Sequence, residues 1–303
     1  MKIFVTGVAG QLGHDVMNEL FSRGYEGIGS DLAQNYAGVQ DETYVTKAEY
    51  VSMDITDKAS VDEIIKSIHP DVVIHCAAWT AVDAAEEEDK IEKVRAINAD
   101  GTKNIALVCK ELDCKMVYIS TDYVFDGEGT EPWKPDCKDY KPLNVYGKTK
   151  LEGELAVSEI LSKYFIVRIA WVFGKNGSNF IKTMLNVGKK FDTLRVVNDQ
   201  IGTPTYTYDL ARLLVDMVET DKYGYYHVTN EGGYISWYDF ACEIFKQAGY
   251  TTKVVPVTTE EYGLSKAKRP FNSRLDKSKL VENGFIPLPT WQDALERYLK
   301  EIE

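Results

Sequence analysis

"VTGVAGQLG", residues 5–13, ends a β-rich run and opens an amphipathic one, and its three glycines decide the fold. Gly7, Gly10 and Gly13 are spaced G-x-x-G-x-x-G. A chain that turns from strand to helix this quickly needs glycine in three places: the tight turn, the close backbone approach to a pyrophosphate, and the packing of helix on strand. The helix amino terminus then offers unpaired N–H groups and a favourable dipole to the phosphate. Asp31 ends the next β-rich run, "GIGSDL", 18 residues beyond Gly13. A carboxylate there can accept hydrogen bonds from both adenosine ribose hydroxyls. It would repel a 2′-phosphate, which leans toward NADH over NADPH. Alone, Asp31 reads as a turn or cap residue; after this loop it reads as a nucleotide ligand.

The same alternation continues outward. "KIFVTG", "YEGIGSD", "DVVIHCAA" and "CKMVYISTD" are short and β-rich. Between them run "GQLGHDVMNELFSRG", "DKASVDEIIKSIH" and "IEKVRAINADGTKNIALVCKELD", which are long and amphipathic. Strand alternating with helix predicts a parallel sheet covered on both faces. The expected class is α/β, a Rossmann-type doubly wound sheet. "YGKTKLEGELAVSEILSKY" predicts a further helix and "FIVRIAWVFG" the next strand. Beyond them the texture changes to aromatic strands such as "GYYHVTN" and loops such as "NDQIGTPT" and "KRPFNSRLD". This predicts a dinucleotide-binding domain over 1–172 and a smaller α+β substrate region over 173–303. "TYTYDLARLLVDMVET" suggests that part of 200–228 returns to the first domain.

Composition narrows the function classes. The chain has 303 residues, 44% hydrophobic and 27% charged, with net charge −12. That acidity leaves no basic footprint for nucleic acid. No stretch approaches the roughly 20 apolar residues of a membrane span, and the amino terminus lacks a signal-peptide pattern. A soluble, cytoplasmic chain is expected. The five cysteines include no C-x-x-C pair and the four histidines are scattered, so neither a disulfide framework nor a zinc site is expected.

Tyr146 and Lys150, in "YGKTK", would share one helical face. Tyr262 and Lys266, in "YGLSK", share the spacing, so the pattern alone does not choose. Context does. "MVYISTD" supplies a strand ending in Thr121 about 25 residues before Tyr146, and nothing comparable precedes Tyr262. The wide-spaced glycine loop, this strand end and the Tyr-x-x-x-Lys helix together resemble the extended short-chain dehydrogenase/reductase family.

That resemblance implies chemistry. Tyr146 would give a proton to a ketone oxygen as a nicotinamide hydride reaches the carbon. Lys150 would lower the phenol pKa from its ordinary value near 10 and bind the nicotinamide ribose. Thr121 would hold the carbonyl oxygen. Gln11, Leu12, Asp54, Ile55, Cys76, Ala77, Ala78 and Asn98 would join the glycines and Asp31 around the cofactor, NADH or NADPH.

"STDYVFDG", "RIAWVFG", "NFIKTML", "NDQIGTPT" and "RPFNSRLD" look like the dTDP-4-dehydrorhamnose reductase branch, over nearly the whole chain. Sugar-nucleotide dehydratases carry Thr-Asp-Glu at the fifth strand's end; Thr121-Asp122-Tyr123 lacks the glutamate, which speaks against dehydration. The branch implies a dTDP-sugar substrate contacted by Asp122, Tyr123, Trp171, Asn179, Phe180, Gln200 and Thr205. Arg195, Arg274 or both would pair with the diphosphate. Some relatives hold Mg²⁺ between subunits through glutamates. The matching positions here are Asp15 and Gln292, a poorer set for a hard cation. No metal is assigned, and a homodimer stays open.

Overall fold

The computed structural model describes residues 1–303. Its first half runs β1 (Lys2–Thr6), α1 (Gln11–Ser22), β2 (Glu26–Asp31), β3 (Glu49–Ser52), α2 (Lys58–Ile68) and β4 (Val72–His75). There follow α3 (Ile91–Arg95), α4 (Thr102–Leu112), β5 (Lys115–Thr121), α5 (Val145–Ile160) and β6 (Tyr164–Ile169). Downstream come β7 (Val172–Phe173), α6 (Phe180–Gly188), β8 (Thr193–Val197), β9 (Ile201–Gly202), β10 (Thr205–Tyr206) and α7 (Thr207–Val218). The chain closes with β11 (Gly224–His227), β12 (Ile235–Ser236), α8 (Trp237–Gln247), β13 (Lys253–Val257), α9 (Thr259–Tyr262), α10 (Ser278–Glu282) and α11 (Trp291–Ile302).

Seven strands form one parallel sheet in the order β11-β6-β5-β4-β1-β2-β3. The direction of winding reverses between β1 and β4. Open α/β sheets leave a crevice at such a point, beyond the carboxyl ends of the strands. The fold is therefore the Rossmann-type doubly wound sheet that the sequence predicts.

Each central strand is apolar on both sides because helices cover both faces. In β1, Ile3 and Val5 point to one face and Phe4 to the other. The first face packs Val16, Met17 and Leu20 of α1 against Leu210, Leu213 and Leu214 of α7. The second packs Val61 and Ile65 of α2 with Ile105 and Ala106 of α4 and Val157 of α5. A third cluster, Phe173, Tyr206, Phe240, Ile244, Trp291, Leu295 and Tyr298, is the core of the carboxyl-terminal region. That region contributes β11 to the sheet beside β6 and lays α7 on α1. No helix is long and apolar enough to cross a membrane.

Candidate active site

The glycine loop sits at the switch point. Gly7 has φ +74, and a Cβ there would lie 2.6 Å from the Ala77 nitrogen. A Cβ on Gly13 would run into the Gly7 carbonyl oxygen, so α1 packs directly on the turn. Gly10 stands at the amino-terminal cap of α1. Asp31 is aimed by the same loop: its Oδ2 accepts from the Ala9 nitrogen at 3.0 Å and its Oδ1 from the Leu32 nitrogen at 2.8 Å. Behind the loop, the Thr6 hydroxyl lies 2.7 Å from His75 Nδ1, and His75 Nε2 lies 3.1 Å from the Thr102 hydroxyl. Burial pushes the His75 pKa down to about 3, so the ring is a neutral spacer.

A cleft of about 1010 Å³ opens from this loop. Gly7, Gly10, Gln11, Leu12, Gly13, Asp31, Asp54, Ile55, Cys76, Ala77 and Ala78 line one end. Thr121, Asp122, Tyr123, Tyr146, Lys150, Trp171 and Phe180 line the rest. The first group suits a dinucleotide: a cradle where a side chain would collide, a helix amino terminus, and a carboxylate for ribose hydroxyls.

Tyr146 stands in the first turn of α5. Asn144 caps that helix, its Oδ1 accepting from the Gly147 nitrogen at 2.8 Å. Asn144 Nδ2 donates to the Lys268 carbonyl and the Val145 nitrogen to Glu86 Oε1, both at 2.8 Å. The start of α5 is thus fixed from both halves of the chain. One turn on, Lys150 is buried. Its Nζ donates to the Ile119 carbonyl at 2.6 Å and lies 4.2 Å from the centre of the Tyr118 ring.

The electrostatics differ from the sequence expectation. Burial raises the Tyr146 phenol above its ordinary pKa; the opposing influence is the Thr121 hydroxyl, not Lys150. Lys150 is itself brought down to about 7 by burial, with Glu154 working against the shift. Its ammonium is directed to the β5 backbone and the Tyr118 ring rather than to the phenol. Tyr146 is therefore protonated throughout the neutral range.

Thr121 ends β5. Its hydroxyl donates to Asp122 Oδ1 at 3.0 Å and accepts from the Tyr123 nitrogen at 3.2 Å. Asp122 is buried and its Oδ2 has no hydrogen-bond partner. That burial holds its carboxyl up at about 6. The Tyr123 ring meets Tyr146 edge-on, centroids 5.6 Å apart.

Trp171 has φ +51, a backbone strain of about 1–3 kcal/mol for a non-glycine residue. Thr205 pins it: the Thr205 hydroxyl donates to the Ala170 carbonyl at 2.6 Å, and its nitrogen to the Trp171 carbonyl at 3.2 Å. The Trp171 ring stacks on Trp237, 3.8 Å between centroids, and Phe180 packs on Trp237 at 4.6 Å. These three rings form an aromatic wall of the cleft.

Six residues expected around ligands are not among those that line the cleft. Asn98 lies in a π-helical turn between α3 and α4. Its Oδ1 accepts from the Trp79 nitrogen at 2.8 Å, and its Nδ2 donates to the Trp79 carbonyl and the Thr149 hydroxyl, both at 3.2 Å. Asn179 caps α6 and donates to the Tyr298 hydroxyl at 2.7 Å. Gln200 donates to the Thr259 hydroxyl at 3.0 Å, and Thr205 acts through Trp171. Arg195 is exposed on β8 and bonds the Glu261 carbonyl at 3.1 Å. Arg274 folds back onto Asn272 Oδ1 at 3.0 Å. Trp237 and Arg269 are among the residues that line the cleft without having been anticipated. The alternative pair is dismantled: α9 ends at Tyr262 with Gly263 in the left-handed region, so Lys266 lies on no common helix with it. Asp15 is buried, 2.8 Å from His14 Nδ1 and accepting from the Thr207 hydroxyl at 2.5 Å.

A Rossmann-type sheet whose crevice holds a glycine cradle, an acidic strand end and a Thr–Tyr–Lys group defines an NAD(P)H-dependent oxidoreductase of the extended short-chain dehydrogenase/reductase class. Comparison narrows the class. Residues 1–303 match the family described as RmlD substrate binding domain. A crystal structure of a dTDP-4-dehydrorhamnose reductase from Clostridium acetobutylicum superposes with TM-score 0.89 at 42% identity, covering 100% of this chain and 99% of that one. The dTDP-4-dehydrorhamnose reductase of Bacillus anthracis, solved in complex with NADP, gives 0.88 at 39%, covering 99% and 100%. The spore coat polysaccharide biosynthesis protein SpsK of Bacillus subtilis is 39% identical over 300 residues, 99% of this chain and 97% of that protein. The chain belongs to the dTDP-4-dehydrorhamnose reductase family.

Proposed function

We propose that this chain reduces the 4-keto group of dTDP-4-dehydro-L-rhamnose to the alcohol of dTDP-L-rhamnose, with NADH or NADPH as reductant. The observation that carries the reading is the sharing of one cleft by Thr121, Tyr146 and Lys150 with the glycine cradle and Asp31. Reduced nicotinamide supplies the hydride when bound. The chain's own residues do the rest. The Thr121 hydroxyl orients the ketone oxygen beside the phenol, and Tyr146 passes its proton to that oxygen as negative charge develops. Lys150, one turn further along α5, offsets through its ammonium the negative charge left on the phenol, which regains its proton from solvent. The apolar wall of Trp171, Trp237 and Phe180 suits the methyl carbon of a 6-deoxy sugar and excludes water from the reacting face.

The test is turnover of dTDP-4-dehydro-L-rhamnose by the purified chain. Loss of reduced-cofactor absorbance should accompany a product two hydrogens heavier. A chain that binds the cofactor but leaves this sugar unreduced, while reducing a different nucleotide sugar, would overturn the substrate assignment.

Cofactor choice follows from Asp31. Asp31→Asn keeps the acceptor for the Ala9 nitrogen and removes the charge that faces a 2′-phosphate. The kcat/KM ratio of NADPH to NADH should rise by at least about fivefold, a modest share of one like-charge contact. An unchanged ratio would place the 2′-position away from Asp31.

A further inference from the structure

The Thr121 hydroxyl has one hydrogen and two lone pairs. A ketone oxygen can only accept, so Thr121 can hold it only by donating that hydrogen. In the structure the hydrogen is already taken. Thr121 Oγ1 donates to Asp122 Oδ1 at 3.0 Å, and it accepts from the Tyr123 nitrogen at 3.2 Å. A carboxylate accepts and never donates, so an ionised Asp122 competes with the ketone for the same hydrogen. Turning the hydrogen to a ketone would take that bond from a buried carboxylate whose other oxygen has none. Both residues line the cleft, so the conflict falls at its reacting end.

The surroundings of Asp122 favour its neutral form. The residue is 2% exposed, and Oδ2 has no hydrogen-bond partner. A buried carboxylate with an unpaired oxygen is costlier than the neutral acid in the same place. Burial holds the carboxyl up at about 6, with the Ser273 and Thr121 hydroxyls opposing the shift. The groups on the neighbouring elements leave that balance in place. From α5, the Tyr146 phenol is neutral in this range and the Lys150 ammonium is directed to the Ile119 carbonyl. The Tyr123 phenol, raised by burial, is neutral as well. From the loop between α9 and α10, Arg269 is held by Asp83, Nη1 to Oδ1 at 3.0 Å and Nη2 to Oδ2 at 2.7 Å. A sugar entering the cleft removes more water and favours the acid further.

Protonation reverses the hydrogen bond. The Asp122 carboxyl hydrogen then goes to Thr121 Oγ1, whose two lone pairs are filled by Asp122 and by the Tyr123 nitrogen. The Thr121 hydrogen is left for the ketone oxygen beside Tyr146. We propose that Asp122 is a positioning residue that works as the neutral acid: it donates to the Thr121 hydroxyl and so turns the Thr121 hydrogen toward the substrate ketone. This rests on the reductase reading above.

The test measures what Thr121→Val costs in kcat/KM for the 4-keto sugar at saturating NADH. It is run at about pH 5.5 and about pH 8, in the wild type and in Asp122→Asn, whose amide can donate at both. Titration of Lys150 falls on all four proteins alike and cancels in the ratio. In the wild type the cost should be at least about tenfold larger at the lower pH, where neutral Asp122 frees the hydrogen. In the Asp122→Asn background the two costs should agree within about twofold. Infrared difference spectra between wild type and Asp122→Asn read the carboxyl without turnover. They should show a protonated-carboxyl band at the lower pH and none at the higher. Unchanged NADH affinity checks that the variants are folded. Equal costs at both pH values in the wild type, or no such band, would overturn the inference. So would an Asp122→Asn whose only defect is a higher KM, which would make Asp122 an acceptor for a sugar hydroxyl. A wild type inactive on this sugar at both pH values would overturn the reductase reading instead, and the band would still decide the state of Asp122.

Discussion

Tyr146→Phe should bind NADH within about twofold of the wild type and reduce the 4-keto sugar at least about 10²-fold more slowly, the usual worth of a positioned proton donor. The ring is kept, so its edge-on packing against Tyr123 survives and the cleft keeps its shape. Only the hydroxyl beside Thr121 goes. A loss confined to kcat and kcat/KM together would mark an interaction made in the transition state. A KM effect with full kcat would make Tyr146 a binding residue. Single-turnover rates with excess enzyme and measured cofactor dissociation constants separate these cases.

The depth of the loss bears on Lys150. The sequence suggests that an ammonium four residues on makes the phenol a better acid. In the structure burial raises the phenol and lowers the lysine, and the two shifts share one cause, removal of water from the cleft wall. Tyr146 therefore starts as a fully protonated, reluctant acid. On the proposed mechanism Lys150 would matter only as negative charge forms on the phenol one turn away, because a buried site holds little else to stabilise a phenolate. On the proposed mechanism the ammonium would serve the transition state rather than the ground state, which is where such an effect raises kcat.

Much of this was legible in the sequence because it depends on local backbone chemistry. Gly7 must have positive φ and Gly13 must lack a Cβ, and both demands show as letters at fixed spacing. Thr121 and Tyr146 are fixed by a strand end and a helix start, which alternation reveals. The edge strand β3 was not read, since "EYVS" is short and none of its four side chains is fully buried. Which arginine lines the cleft was not legible either. Arg195, Arg269 and Arg274 are chemically identical letters, and what separates them is a loop conformation fixed by Asp83, 186 residues from Arg269. Trp237 hides in the same way. It opens α8, and its stacking on Trp171 depends on a strained turn that no helical or strand period encodes.

The largest effect on stability should come from Glu154→Ala. Glu154 on α5 and Arg168 on β6 are both fully buried. Arg168 Nε donates to Glu154 Oε1 and Nη2 to Oε2, each at 2.8 Å. Its other donors reach the Pro135 carbonyl at 3.1 Å and the Tyr140 hydroxyl at 3.2 Å, and His227 Nε2 lies 3.3 Å from Nη1. Nothing nearby can replace the carboxylate. Nδ1 of His227 lies 2.9 Å from the Trp133 carbonyl, and burial with the adjacent guanidinium holds that ring's pKa well below its ordinary value. Removing Glu154 strands a buried guanidinium, which costs about 3–5 kcal/mol. The double variant Glu154→Ala with Arg168→Met removes both charges and should recover part of that loss. Urea denaturation of the two single variants and the double variant gives the coupling. The site should feel the change as well. Glu154 is the main group holding the Lys150 pKa up against burial, so in the alanine variant Lys150 titrates lower and is more often neutral at pH 7. Turnover should then fall with rising pH from a lower pH than in the wild type. A variant within about 1 kcal/mol of the wild type, with an unmoved pH profile, would mean that Arg168 finds water or another acceptor and that α5 carries Tyr146 and Lys150 without this anchor.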